Sequence, residues 1–347
     1  MLSLPLAAVA LEGRQSAGSG RELVQRYLRS EIGFSGSDWR DVLAGRAVAR
    51  TMAAETGQDV SIYGAVRLPG APGAFVDRIR RIDAFERDLK VDQVGRFGEP
   101  ARLDDLGGLT VLEEDLGDLR RCRPGDCELQ LSEEALLRLD ARVDWDADDA
   151  HARVNALFRE MIFDTLHAYR MSGTRALGAY ADRRPATVIP DQIARLFHPK
   201  DTPVPVPELT AYLRTYPHGS LPGAADLFYW NRGDFGMKPT TRLNHVVIYP
   251  LPAGVTATTG VHWVIATQQL YANHYFSATL ELRTLVEDDA GEAPGFFLLY
   301  ATRSHVPGLS GLLGGILRPI VKGRARSGME GYLERTQTLI RQAVEAG

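Results

Sequence analysis

Between Asn273 and Arg283 the chain alternates strictly, and this run constrains the fold more than any other. One side of it carries His274, Phe276, Ala278, Leu280 and Leu282, and the other Asn273, Tyr275, Ser277, Thr279, Glu281 and Arg283. Period two is the signature of a strand, and apolar against polar predicts an antiparallel strand with one buried face. The run belongs to a wider block that begins at Leu221. Leu227–Asn231, Leu243–Tyr249, His262–Leu270, Tyr271–Glu287 and Phe296–Arg303 are rich in β-branched and aromatic residues, and Gly, Pro or Asp clusters separate most of them.

Upstream the periodicity changes. Val60–Leu68 reads as a strand, Pro72 opens a helix through Phe75, Ile79, Ile82 and Phe85, and Val91–Phe97 is again extended. From Ser132 to about Tyr212 nearly every segment has helical spacing; the longest predicted helix runs from about Asp148 to Tyr180, with Asp148 as its N-cap. A last long helix starts near Gly308. Leu309, Leu313, Ile316 and Ile320 are expected to line its first part, and Met329, Tyr332, Leu333, Thr336, Leu339 and Ile340 its second.

Composition excludes several classes. The 347 residues carry 40 Lys+Arg against 44 Asp+Glu, a net charge of −4 that argues against a nucleic-acid surface. No apolar run approaches the ~20 residues of a membrane-spanning helix.

The opening stretch Met1–Ala10 is apolar and closes in Ala8-Val9-Ala10, a small-x-small pattern like that of a signal-peptidase site, so residues 1–20 read as a truncated signal peptide or a frayed tail. In Cys122-Arg-Pro-Gly-Asp-Cys127 the Pro-Gly centre fits a type II turn that brings the two thiols within disulfide reach. Two reduced cysteines in a cytoplasmic turn are the alternative. Together these features favour a periplasmic or secreted protein over a cytoplasmic one.

Strand, helix, antiparallel strands and a closing helix together resemble the START-like, or helix-grip, superfamily. The segments that look like the family are Val60–Leu68 with Pro69-Gly-Ala-Pro-Gly-Ala-Phe, His274–Val286, Gly295–Arg303, and Val306-Pro-Gly-Leu through Gly-Leu-Leu-Gly-Gly-Ile-Leu. The resemblance implies an α+β fold in which a curved antiparallel sheet wraps around the long C-terminal helix and leaves a cavity for a hydrophobic small molecule. Residues 21–347 then form one domain, with 132–220 as a large helical insertion.

No phosphate loop, nucleophile elbow or paired-histidine zinc motif occurs, so no catalytic residue, cofactor or metal ligand is assigned. Asp144-Trp-Asp-Ala-Asp-Asp lacks the glycine and glutamate of a calcium loop. The expected ligand-lining residues lie on the strand block: Tyr229, Trp230, His245, His262, Tyr271, His274 and Phe276. For each the alternative is plain core. Three readings follow: an exported carrier of an apolar or amphipathic molecule, a cavity enzyme using acid–base chemistry from a histidine such as His274, and a partner-binding protein using the helical middle. Gly308–Val321 carries one charge, Arg318, and is followed by Lys322, Arg324 and Arg326. That pattern suits a transient membrane-surface contact as well as a helix gripped by a sheet, and the resemblance favours the grip.

Overall fold

A computed structural model describes residues 19–234 and 237–346; the apolar leader lies outside them. Ten strands are present among these residues: β1 (Val48–Thr51), β2 (Asp59–Pro69), β3 (Gln93–Arg96), β4 (Ala179–Tyr180), β5 (Thr187–Val188), β6 (Ala225–Gly233), β7 (Thr240–Pro250), β8 (Val261–Ala272), β9 (Ala278–Glu287) and β10 (Gly295–His305). Eight of them form one antiparallel sheet in the order β1-β2-β10-β9-β8-β7-β6-β3, while β4 and β5 pair separately. The first long strand, β2, therefore pairs with the last, β10, and a long helix follows. The fold is α+β, as expected.

Two expectations about the strand block need correction. The predicted run Tyr271–Glu287 is broken, because Asn273–Ser277 turns the chain from β8 into β9, with Tyr275 at φ +58°. Asn273 fixes that turn by accepting the Thr241 amide on Oδ1 at 2.7 Å. Both faces of β9, not one, are buried. Ala278, Leu280 and Leu282 face one helical layer, and Thr279, Glu281 and Arg283 are equally enclosed on the other side. A sheet covered on both faces buries its polar alternates too, which a single-strand pattern does not reveal.

The first face is covered by Gly20–Tyr27, Gly36–Leu43 and the insertion between β3 and β6. Helices of that insertion include Glu113–Leu119, Glu133–Arg142, Ala150–Ser172, Ile189–Ala194 and Pro207–Thr215, so it begins well before residue 132. Val24, Leu28, Val154, Ile162 and Tyr169 pack there against Leu243, Val247, Ala266, Leu280 and Leu299. Ser132 caps its helix by accepting the Ala135 amide at 3.1 Å. The N-cap of the longest insertion helix is Asp149, not Asp148; it makes no capping bond and pairs instead with Arg153 at 2.8 Å. Cys122 and Cys127 form a disulfide (S–S 2.07 Å) around a turn whose Gly125 has φ +91°, as the Pro-Gly centre predicts.

Pro72–Arg80, Ile82–Asp88 and the C-terminal helix Gly311–Ala346 cover the second face. The helix approaches β2 so closely at Gly64 that a Cβ there would lie 2.7 Å from Met329 and from Leu333. Met329, Leu333, Thr336 and Ile340 are buried, and Val321 and Ala325 pack partly buried against the same layer, whereas Ile316 and Ile320, expected to line the grip, are 67% and 48% exposed. The grip therefore begins at Val321, and the two isoleucines fall outside it. No helix among the described residues is long and apolar enough to cross a membrane.

Candidate functional site

The seven expected lining residues do not converge. Tyr229 and Trp230 are neighbours on β6 and so point to opposite faces: Tyr229 is buried towards the C-terminal helix, and Trp230 donates from Nε1 to the Asp105 carbonyl at 2.9 Å on the other side. Tyr271 packs edge-on against Phe158 and Tyr180 in the insertion core. His262 lies at the rim of β8, beside Glu287 at 2.9 Å and stacked on Trp263. Phe276 is half-buried in the β8–β9 turn.

The other two histidines are held in buried polar clusters. His274 is not on a strand; its Nε2 meets both oxygens of Asp115 at 3.0 and 3.1 Å. Asn273 and Lys238 share that carboxylate, whose side chain is fully buried. Burial alone would raise the Asp115 pKa, but His274 and Lys238 outweigh it and leave the pKa lowered. His245 is fully buried with both ring nitrogens engaged. Its Nε2 lies 2.7 Å from Asp226 Oδ1 and its Nδ1 2.9 Å from the Tyr169 hydroxyl. Tyr212 donates to the second Asp226 oxygen, and Gln268 donates to the Tyr169 hydroxyl at 3.4 Å. A neutral ring donating to Asp226 and accepting from Tyr169 satisfies this chain, and burial accordingly pushes the His245 pKa down. His245 has no nitrogen left for a substrate, whereas only Nε2 of His274 is engaged.

A fourth histidine, His305, borders a cleft. On the antiparallel pair β2–β10, Asp59 faces His305 and Ser61 faces Arg303. Asp59 Oδ1 lies 2.8 Å from His305 Nδ1, and its Oδ2 accepts from the Thr56 amide and hydroxyl at 2.9 and 2.7 Å. An ionised carboxylate only accepts, so the His305 Nδ1 carries the proton of this bond. Burial raises the Asp59 pKa, but His305 and Thr56 override it, and the pKa ends lowered. Among the described residues Nε2 has no hydrogen-bond partner, and His305 borders a cleft of about 20 Å³, room for one water. Glu55, Ser61, Gln192, Arg195 and Arg303 also border it. Arg303 is fixed by a bidentate pair with the buried Asp201, at 2.6 and 2.8 Å, whereas the exposed Arg195 reaches only Gln192. An oriented histidine, two guanidiniums and a water-sized space meet here. The sequence reading missed this site because Asp59 and His305 are 246 positions apart and meet only through the pairing of the first long strand with the last.

The space between the sheet and the held part of the last helix, where the resemblance places a cavity, is occupied by a charged network. Glu281 Oε2 accepts from Arg283 at 2.8 Å and from the Tyr300 hydroxyl at 2.7 Å, and Oε1 lies 3.3 Å from Arg242. Glu86 accepts from Asn231 at 3.2 Å; burial raises its pKa above the usual carboxylate range, whereas the Glu281 pKa is lowered because the two guanidiniums outweigh burial. Tyr332 from the helix lies over Tyr300, and its buried hydroxyl has no partner. No protein-family model matches this chain, and no curated protein matches it significantly.

Proposed function

We propose that this protein is an enzyme acting on a small molecule by acid–base chemistry, with His305 as its base and the cleft between β2, β10 and Ile189–Ala194 as its site. The Asp59–His305 pair carries this reading, because it leaves Nε2 without a partner on a histidine that borders a water-sized space. Nε2 takes the proton of a bound water or a substrate hydroxyl. Asp59 acts as a positioning residue that fixes the tautomer and stabilises the imidazolium that forms. Arg195, at the rim, attracts an anionic substrate group. Activated nitrophenyl esters and phosphates are suitable probes. Turnover falling about 10²- to 10⁴-fold in His305→Gln, with unchanged thermal unfolding, is the expected result. Equal turnover by the variant, or none by the wild type on either probe class, sinks the proposal.

A second reading has support from the order of elements. β2, two helices, β3, then β6 to β10 and a closing helix follow the sequence expected of a START-like carrier. Native mass spectrometry separates the two readings: a co-purifying lipid-like mass supports the carrier, and ligand-free protein refutes it. The Cys122–Cys127 disulfide supports a periplasmic or secreted location, which thiol labelling of intact cells tests.

A further inference from the structure

We infer that the exposed face of the first half of the C-terminal helix docks on an anionic lipid bilayer. Of the eight large apolar side chains that are exposed among the described residues, three fall within Ile316–Ile320: Ile316 at 67%, Leu317 at 41% and Ile320 at 48%. Such clustering marks a contact surface rather than scattered exposure. Ile316 and Ile320 are one turn apart. On a helix that advances 100° per residue, Ile320 is turned about 100° away from Val321, where the line held against the sheet begins. Both side chains are exposed although Arg318, between them, lies against Gly57 and Val321 packs on the sheet side.

Charge selects the partner. From Gly311 to Met329 there is no acidic residue, and the segment carries Arg318, whose guanidinium donates to the Leu309 carbonyl at 3.2 Å, together with Lys322, Arg324 and Arg326, in a chain whose net charge is −4. Glu330 is the first acid, and it pairs with Arg326 at 3.2 Å. An apolar line beside a cationic stretch is the pattern of a helix lying in the plane of a bilayer interface: its isoleucines enter the acyl boundary and its cations face anionic head groups. A neutral bilayer lacks the second interaction. Because the rest of the chain is net negative, the same surface would repel that bilayer elsewhere and hold the protein by this helix. The inference does not depend on the chemistry of the His305 cleft.

Sedimentation with vesicles tests it on the full chain. Vesicles of equal parts phosphatidylglycerol and phosphatidylcholine should carry the protein down, more weakly as salt rises; phosphatidylcholine alone should not. The double variant Ile316→Asn with Ile320→Asn should bind about tenfold more weakly or worse. Its thermal unfolding should match wild type, since both side chains are outside the core. Lys322→Glu should weaken binding at low salt and have less effect at high salt. Equal sedimentation with both vesicle types, none with either, or unchanged binding by the double variant overturns the inference. A wild-type dimer in solution that the double variant dissolves would overturn it as well, by assigning the surface to a second copy of the chain.

Discussion

Replacing Glu281 by glutamine keeps the shape of the side chain and removes its charge. In the native network Arg242, Arg283, Glu86 and Glu281 balance to zero. With Glu281 neutral, two buried guanidiniums face only Glu86, whose own pKa is raised by burial and which therefore compensates poorly. Three polar contacts change at once, from Arg283, Tyr300 and Arg242. Breaking a buried pair from one side costs about 3–5 kcal/mol, because the partner charge stays behind without compensation. Set against a total stability of about 5–15 kcal/mol, that is a large fraction. For a chain of this size it corresponds to a fall of about 6 °C in Tm. Urea unfolding followed by circular dichroism measures it as a lowered midpoint at constant slope. The double variant Glu281→Met with Arg283→Met removes both charges and should recover at least half of the loss, since well-packed apolar residues replace such pairs at little cost. A loss below about 1 kcal/mol in Glu281→Gln would refute the reasoning, by showing that the network is hydrated enough to tolerate the charge.

Leu333→Ala should cost about 2–5 kcal/mol, since Leu333 is fully buried against Gly64, whereas Ile316→Ala should lie within about 0.5 kcal/mol of wild type; calorimetry of both variants measures where the grip begins. Acid should destabilise the fold through Asp288. Burial raises its pKa, but bidentate contact with Arg21 at 2.7 and 2.8 Å and a further contact with Arg67 outweigh it, so the folded pKa is lowered. Its stabilisation is therefore complete above about pH 4 and lost as pH falls through the folded value. Asp288→Asn should lower stability at pH 7 and flatten this acid limb in urea midpoints taken from neutral to acidic pH. Reducing Cys122–Cys127 closes no large loop and should cost only about 2 kcal/mol, read as a small fall in Tm with added reductant.

The long helices and most strands were legible because their periodicity is local. Val60–Leu68, the helix after Pro72, the Ser132 cap and the Pro-Gly turn between the cysteines all lie close to where the residues alone placed them. Chain order was legible too, and with it the α+β class. The burial of polar residues was not. Glu281 and Arg283 read as a solvated face, because a strand pattern records alternation but not whether a second layer covers the polar side. Tyr229 and Trp230 looked like one lining, but strand geometry sends neighbours to opposite faces.

The histidines mark the boundary. The alternation of Asn273–Arg283 put His274 on an apolar face, yet a turn removes it from the strand and Asp115, 159 positions away, takes its ring. His305 drew no attention in the sequence. Its role depends on Asp59, which only the pairing of β2 with β10 brings to it. Local hydrophobic period thus determined which segments become strands and helices, because it depends on neighbours a few residues apart. Which polar groups meet was decided by strand pairing, and which isoleucines stay uncovered by the side of the last helix that packs on the sheet. Both exist only once distant segments are packed together.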